Sequence, residues 1–241
     1  MTNTPHNNYQ GDDLVAMNNV DNYHNWIIDK IEDYLGPRVL EIGAGSGTLT
    51  ELILKRNSLT SFRLLSLEPS QEMYPLLKNR IAKLKDDRVE ILQAYSCDQT
   101  TLIKEFNPTS IIYNNVLEHI ENDQEELNLA YGLLAENGYL LKYSPALNWL
   151  MSDFDKSIGH YRRYGLKEAS TKVTNAKFTI VKKQYIDSLG IIPWFIVFKL
   201  LKLNLSPGNA SAYDKFIVPV LKKFEPDWVP FGKNVLIIAK K

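Results

Sequence analysis

Three glycines within five residues, Gly43, Gly45 and Gly47, follow the apolar stretch RVLEI (38–42). Glycine takes left-handed backbone conformations without steric cost, so this spacing suits a tight turn that comes close to a ligand. A helix starting in such a loop presents N–H groups to an anion. Two ligands fit that chemistry: a dinucleotide pyrophosphate, or the carboxylate of S-adenosylmethionine (SAM). The dinucleotide pattern G-x-G-x-x-G needs Gly or Ala at position 48, where this chain has Thr48. Glu41, just ahead of the loop, favours a ligand bearing positive charge, such as a sulfonium with an ammonium. Glu68 follows Gly43 by 25 residues, where a carboxylate can accept hydrogen bonds from both hydroxyls of a ribose.

A second set of residues could move protons or hold an acceptor. His119 in LEHI and His160 in GHYRRY are candidate general bases, because imidazole titrates near neutral pH. Each also has an ordinary structural reading, as a packing residue or a loop hydrogen-bonder. His6 and His24 are weaker candidates. Arg162 and Arg163, flanked by Tyr161 and Tyr164, offer guanidinium forks for a phosphate or carboxylate. The alternative is an ion pair of one arginine with Asp153 or Asp155. Acidic residues are scattered without metal-ligand spacing, so no metal is expected. The single cysteine, Cys97, excludes an intrachain disulfide.

The elements that must position these residues are legible from periodicity. RVLEI (38–42), RLLSL (63–67), VEILQA (89–94), SIIYNN (110–115) and YLLKYS (139–144) read as strands. Segments 46–55, 70–84, 100–106 and 122–136 read as helices, with Met73, Leu76, Leu77, Ile81 and Leu84 inward on the second. Asn122 with Glu125 marks a helix start, and Gly138 an end. Such alternation indicates an α/β fold with a Rossmann-like, doubly wound, mostly parallel sheet. Ahead of it, Val20, Tyr23, Ile27 and Ile31 recur at helical spacing up to Gly36-Pro37, with Trp26 off the stripe and facing something other than the core. KFTIVKKQY (177–185) and NVLIIAKK (234–241) read as two later strands. The expected organisation is one domain: a helical lid (1–36), a ligand-binding core (37–144), a substrate lobe (145–232) and a last strand (233–241).

Composition narrows the function. Lys+Arg and Asp+Glu both number 28, so the formal net charge is zero, where a nucleic-acid-gripping protein is usually basic. No D/N-P-P-Y/F motif of nucleic-acid methylation is present, and no nucleic-acid partner is expected. The start, MTNTPHNNYQGDD, lacks the basic and apolar regions of a secretory signal, so a cytoplasmic location is expected. The ten apolar residues 189–198 are too few to span a bilayer, which takes about 20. With Lys199 and Lys202, the run 189–203 could rest on a membrane surface or hold an apolar substrate; a buried helix or a dimer contact is the plainer reading.

VLEIGAGSGTLT, LSLEPS and IIYNNVLEHIENDQEEL together resemble the class I SAM-dependent methyltransferases, small-molecule branch, over residues 38–127. The resemblance implies a seven-stranded sheet with an antiparallel last strand. It implies SAM contacts at Glu41, Gly43, Ala44, Gly45, Gly47, Glu68, Pro69, Ala94, Tyr95 and Asn115, with Tyr23 from the first helix. Where many members place an adenine-binding Asp, Tyr95 stands here and Asp98 follows three residues on; which reads adenine is open. SPALNWLMSDFDKSIGHYRRYGLKE and KFIVPVLKKFEPDWVPFGKNVLIIAKK resemble methyltransferases encoded beside, or fused to, glycosyltransferases. The expected function is methyl transfer from SAM to oxygen of a small-molecule or lipid/glycan-linked acceptor. Trp26, Tyr161, Arg162, Arg163 and Tyr164 are the expected acceptor contacts. The alternatives are an NAD-dependent dehydrogenase and a non-catalytic SAM-binding subunit.

Overall fold

In the computed structural model, which describes residues 20–202 and 207–241, the expected alternation becomes one sheet. The first five strands are β1 (Arg38–Ile42), β2 (Arg63–Leu67), β3 (Val89–Leu92), β4 (Ser110–Asn114) and β5 (Tyr139–Pro145). Between them run α2 (Thr48–Arg56), α3 (Met73–Leu84), α4 (Thr100–Phe106) and α5 (Asp123–Leu133), after α1 (Asp21–Ile31). β6 (Thr179–Ile186) and β7 (Asn234–Lys240) complete the order β3-β2-β1-β4-β5-β7-β6, with β7 antiparallel to both neighbours. A dinucleotide-binding sheet places a sixth parallel strand beside the fifth; here β7 occupies that place. Its residues Asn234–Ala239 are all buried, as an inner strand covered on both faces requires.

Successive residues of each inner strand feed opposite faces of the sheet. Val39, Leu64, Ile112 and Leu141 join one core cluster, while Leu40, Leu65, Ile111 and Leu140 join the other. The helices close both layers. Asn122 caps α5 as its sequence predicts, its side chain accepting from the Glu125 N–H at 3.4 Å. The expected inward face of α3 holds at Met73, Leu77 and Ile81, but Leu76 is 39% exposed.

Trp26 corrects the reading of the first helix. It is 2% exposed and belongs to the core cluster with Ala210, Val218 and Leu221. The reason lies outside the local periodicity. α1 packs against α2 and also against α9 (Pro207–Phe216) and α10 (Val218–Phe224), so more than one stripe is covered. Trp26 meets Tyr23 edge-on at 6.1 Å.

Segment 145–232 is divided by the edge strand β6 and the preceding α7 (Leu166–Asn175). One added piece holds the turn Asn148–Leu150 and α6 (Asp153–Ser157), started by a capping box between Ser152 and Asp155. The other holds α8 (Ile191–Trp194), a π-turn Phe195–Leu200, α9 and α10. Among the described residues, no helix is long and apolar enough to cross a membrane.

Candidate active site

The glycine loop joins β1 to α2. Gly43, Gly45 and Gly47 have φ of +70°, +56° and +83°, and Gly47 is the N-cap residue of α2. A Cβ at Gly43 would lie 2.5 Å from Val116 Cγ2, and one at Gly47 2.7 Å from Leu77 Cδ1. At Gly43 the contact is with a stiff β-branched side chain, so packing as well as backbone angle calls for glycine; at Gly47 the tip of Leu77 can move, and the left-handed φ is the stronger requirement. The Gly43 and Ala44 N–H groups donate to the Leu67 carbonyl at 2.8 and 3.0 Å, and the Gly45 N–H donates to Glu68 Oε2 at 2.6 Å. The loop is thereby tied to the end of β2.

Two buried carboxylates flank this loop. Glu68 also accepts from the Ser70 N–H at 2.8 Å, across Pro69; burial raises its pKa and the two backbone bonds oppose the rise. A carboxylate oxygen has more than one lone pair, so these bonds leave Glu68 able to receive ribose hydroxyls. Glu41 accepts from the Thr50 and Ser66 hydroxyls at 2.6 and 2.8 Å. Burial pushes it up to about 7, with those hydroxyls opposing and Glu68 adding to the rise. A cationic ligand over the loop would relieve both groups.

The neighbouring strands β3 and β4 end at the same edge of the sheet as the loop. Ala94 and Tyr95 follow β3, with Tyr95 49% exposed and Asp98 in the next turn. Asn115, at φ +54°, follows β4 and donates its N–H to the Tyr143 carbonyl at 2.8 Å. Tyr23 is held in a buried network rather than at the surface. Its hydroxyl lies 2.8 Å from that of Tyr143, donates to Asp187 at 3.2 Å and accepts from Asn234 at 2.6 Å.

Beyond β4 the two candidate histidines meet, although 41 residues separate them. Their rings stand 4.5 Å apart at 78°. His160 Nδ1 is 2.9 Å from Asp155 Oδ1. Asp155, fully buried, also accepts from Ser152 and from Arg163 Nε and Nη2 at 2.9 and 2.8 Å. Burial opposes ionisation, but His160 and Arg163 outweigh it and hold the Asp155 carboxyl at about 2. Burial and then His160 push His119 down to about 3, against backbone bonds to Gly159 and Ile158. Of the two, His160 therefore has the better credentials as a proton acceptor: a carboxylate orients its ring.

Glu118 was missed as a single residue, although it lies inside LEHI. It is fully buried, and neither carboxylate oxygen has a hydrogen-bond partner of good geometry. Burial raises its pKa, with His160, Lys142 and Ser144 opposing. Lys142 is also buried, its Nζ 3.6 Å from the Tyr164 ring centroid.

The arginines turn inward. Arg163 is 1% exposed, held by Asp155 and the Ala146 carbonyl, with its guanidinium 4.4 Å from the Trp194 ring. Arg162 pairs with Asp123 at 2.7 Å and donates to the Glu121 carbonyl at 2.6 Å. Tyr164 is buried and donates to Asp123 at 2.7 Å; Tyr161 remains 40% exposed. The paired fork expected of GHYRRY is thus two internal ion pairs. His24 Nδ1 lies 3.0 Å from the Val20 carbonyl at the start of α1, and His6 lies outside the described residues.

The described part of the apolar run is only half covered. Leu189, Ile192, Phe195, Ile196, Leu200 and Leu201 are exposed, beside Trp149. A cavity of about 230 Å³ lined by Leu147, Trp149, Ile191 and Phe231 opens next to them.

Residues 40–140 match the family described as "Methyltransferase domain". No curated protein sequence matches the chain significantly. Solved structures share the fold at low identity. A SAM-dependent methyltransferase from Archaeoglobus fulgidus has a TM-score of 0.59 and 17% identity, over 92% of this chain and 94% of that one. Phosphoethanolamine N-methyltransferase 2 of Haemonchus contortus, in complex with SAM, has a TM-score of 0.65 and 14% identity, over 97% of this chain and 58% of that one. Burkholderia thailandensis 1,6-didemethyltoxoflavin-N1-methyltransferase has a TM-score of 0.58 and 16% identity, over 97% and 83%.

Proposed function

We propose that this chain, a class I SAM-dependent methyltransferase, moves a methyl group from SAM to an oxygen of a small-molecule or lipid/glycan-linked acceptor by in-line displacement. The observation that carries this reading is the glycine loop, tied to Glu68 by the Gly45 N–H at 2.6 Å, on the same sheet edge as the His119–His160 pair. Bound SAM supplies an activated methyl group whose leaving thioether is neutral, so the chain's residues contribute mainly positioning and exclusion of water. Glu41 and Glu68 supply negative potential, and Glu68 orients the ribose. Val116, packed on Gly43, fixes the loop that follows β4. An oxygen acceptor is favoured over nitrogen by the oriented His160, because a hydroxyl must lose a proton as the bond forms. The two named N-methyltransferases show that the fold also serves nitrogen.

Calorimetric titration should show binding of the product S-adenosylhomocysteine (SAH) and no measurable NAD binding; the reverse would sink the proposal. Glu68→Ala should weaken SAH by about 1–3 kcal/mol, the range for leaving hydrogen-bonding groups unpaired. Unchanged affinity in a folded variant would remove Glu68 from the site.

A lipid-linked acceptor is supported by the exposed face of 189–201, with Lys199 and Lys202 alongside. Aliphatic and aromatic side chains flanked by lysines suit the headgroup boundary of an anionic membrane. The protein should sediment with anionic vesicles, and Ile192→Glu/Leu200→Glu should abolish this without changing SAH affinity. Equal sedimentation of the double variant would dismiss the membrane contact.

A further inference from the structure

We infer that Glu118, His119 and His160 bind one divalent transition-metal ion. Each offers one ligand atom, and these atoms lie within 4.8 Å of one another. Zinc ligands about 2.0–2.2 Å from the ion stand about 3.4 Å apart in a tetrahedron, so the trio must tighten by roughly 1 Å. Two further observations point to a cation. The first is the outer shell. A metal-ligating histidine gives its other ring nitrogen to a carboxylate that is itself held. His160 does this through Nδ1 to Asp155, which Arg163 and Ser152 lock in place. Its Nε2 is the nitrogen left for a ligand.

The second is the Glu118 carboxylate, fully buried with neither oxygen hydrogen-bonded. A carboxylate so enclosed is costly unless something positive meets it. Among the described residues no ion pair meets it: Lys142 acts on Glu118 only at longer range, its ammonium lying on the Tyr164 ring, and the nearby Ser144 hydroxyl does not reach hydrogen-bond geometry. Arg163 is committed to Asp155. Two imidazoles and one carboxylate suit Zn²⁺, Co²⁺ or Fe²⁺ better than Mg²⁺ or Ca²⁺, which prefer oxygen ligands.

The inference deepens the proposed methyl transfer and rests on it for its role. An ion beside the end of β4 would draw in the acceptor oxygen and lower the pKa of its hydroxyl. The proton leaves to water, the oxygen–methyl bond forms, and the carbon–sulfur bond breaks with its electron pair staying on sulfur. His160 then acts on that proton through the ion.

The test uses chelator-treated, dialysed protein titrated with Co²⁺ and followed by its visible absorption. One saturable site per chain is expected, emptied by Zn²⁺ and unaffected by Mg²⁺. Glu118→Gln and His160→Ala should each weaken Co²⁺ about 10- to 100-fold or more, and the outer-sphere variant Asp155→Asn about 10- to 100-fold. Circular dichroism checks that each variant is folded. Absence of a saturable band in folded wild-type protein would overturn the inference, as would equal affinity in wild type and Glu118→Gln. SAH titration of the same samples separates the two readings. SAH bound without Co²⁺ fells the metal site alone, whereas no SAH binding fells the proposed function.

Discussion

Replacing His160 with alanine should lower kcat by about 10²–10⁴-fold, the usual contribution of a positioned acid–base group, while SAH affinity stays nearly unchanged. Asp155, 2.9 Å from Nδ1, fixes the ring so that Nε2 faces away from the carboxylate. His160 bonds to Asp155 and makes no hydrogen bond to the glycine loop or Glu68, so cofactor binding has no reason to change. If His160 takes the proton directly, His119→Ala should cost less, because burial and His160 push its imidazole down to about 3; if both hold an ion, the two losses should be alike. The measurement is single-turnover methylation of the true acceptor at saturating SAM, with SAH affinity in parallel. If both variants keep near-normal turnover, the pair has no part in proton removal. If His160→Ala loses SAH binding as strongly as turnover, its role is structural.

The sheet and its cofactor loop were legible because their signals are local. RVLEI, RLLSL and NVLIIAK announce buried strands by mostly apolar, branched residues, and three glycines at fixed offsets announce the loop. Glu68's position beside the loop was legible because a strand end after a glycine loop has few destinations in such a fold. Trp26 could not, because its burial comes from α9 and α10, nearly two hundred residues along the chain. Arg163 stayed open between two readings for a related reason. An arginine pair between tyrosines looks the same whether it awaits an anion or already holds one, and Asp155 answers that only in the folded chain. The grouping of Glu118 with His119 and His160 was invisible to spacing rules. Metal-ligand patterns are recognised within short stretches, and here the turn after β4 meets a segment that returns only after β5 and α6.

Asp155→Ala should destabilise the fold by about 3–5 kcal/mol, the cost of stranding one partner of a buried ion pair. For a chain of this size that is a fall in Tm of roughly 6–20 °C. Three residues, Arg163, Ser152 and His160, lose their partner at once. Arg163 is 1% exposed and keeps only the Ala146 carbonyl and the Trp194 ring, while the Ser152 N–H and His160 Nδ1 lose their acceptor. Coupling to Arg163 is the distinguishing feature. In Asp155→Leu/Arg163→Met the uncompensated charge is gone and the methionine can lie against Trp194, so the double variant should be more stable than Asp155→Ala. The effect should also depend on pH in a defined window. The Asp155 carboxyl falls from its ordinary 3.8 to about 2 in the folded chain. A depressed carboxyl stabilises the fold above its unfolded pKa, and that stability is lost as pH falls through the folded value. The gap in Tm between wild type and Asp155→Ala should therefore be constant above about pH 5 and narrow between about pH 4 and 2. A gap that persists unchanged to pH 2, or a double variant no better than the single one, would show that Asp155 stabilises by packing rather than by its charge.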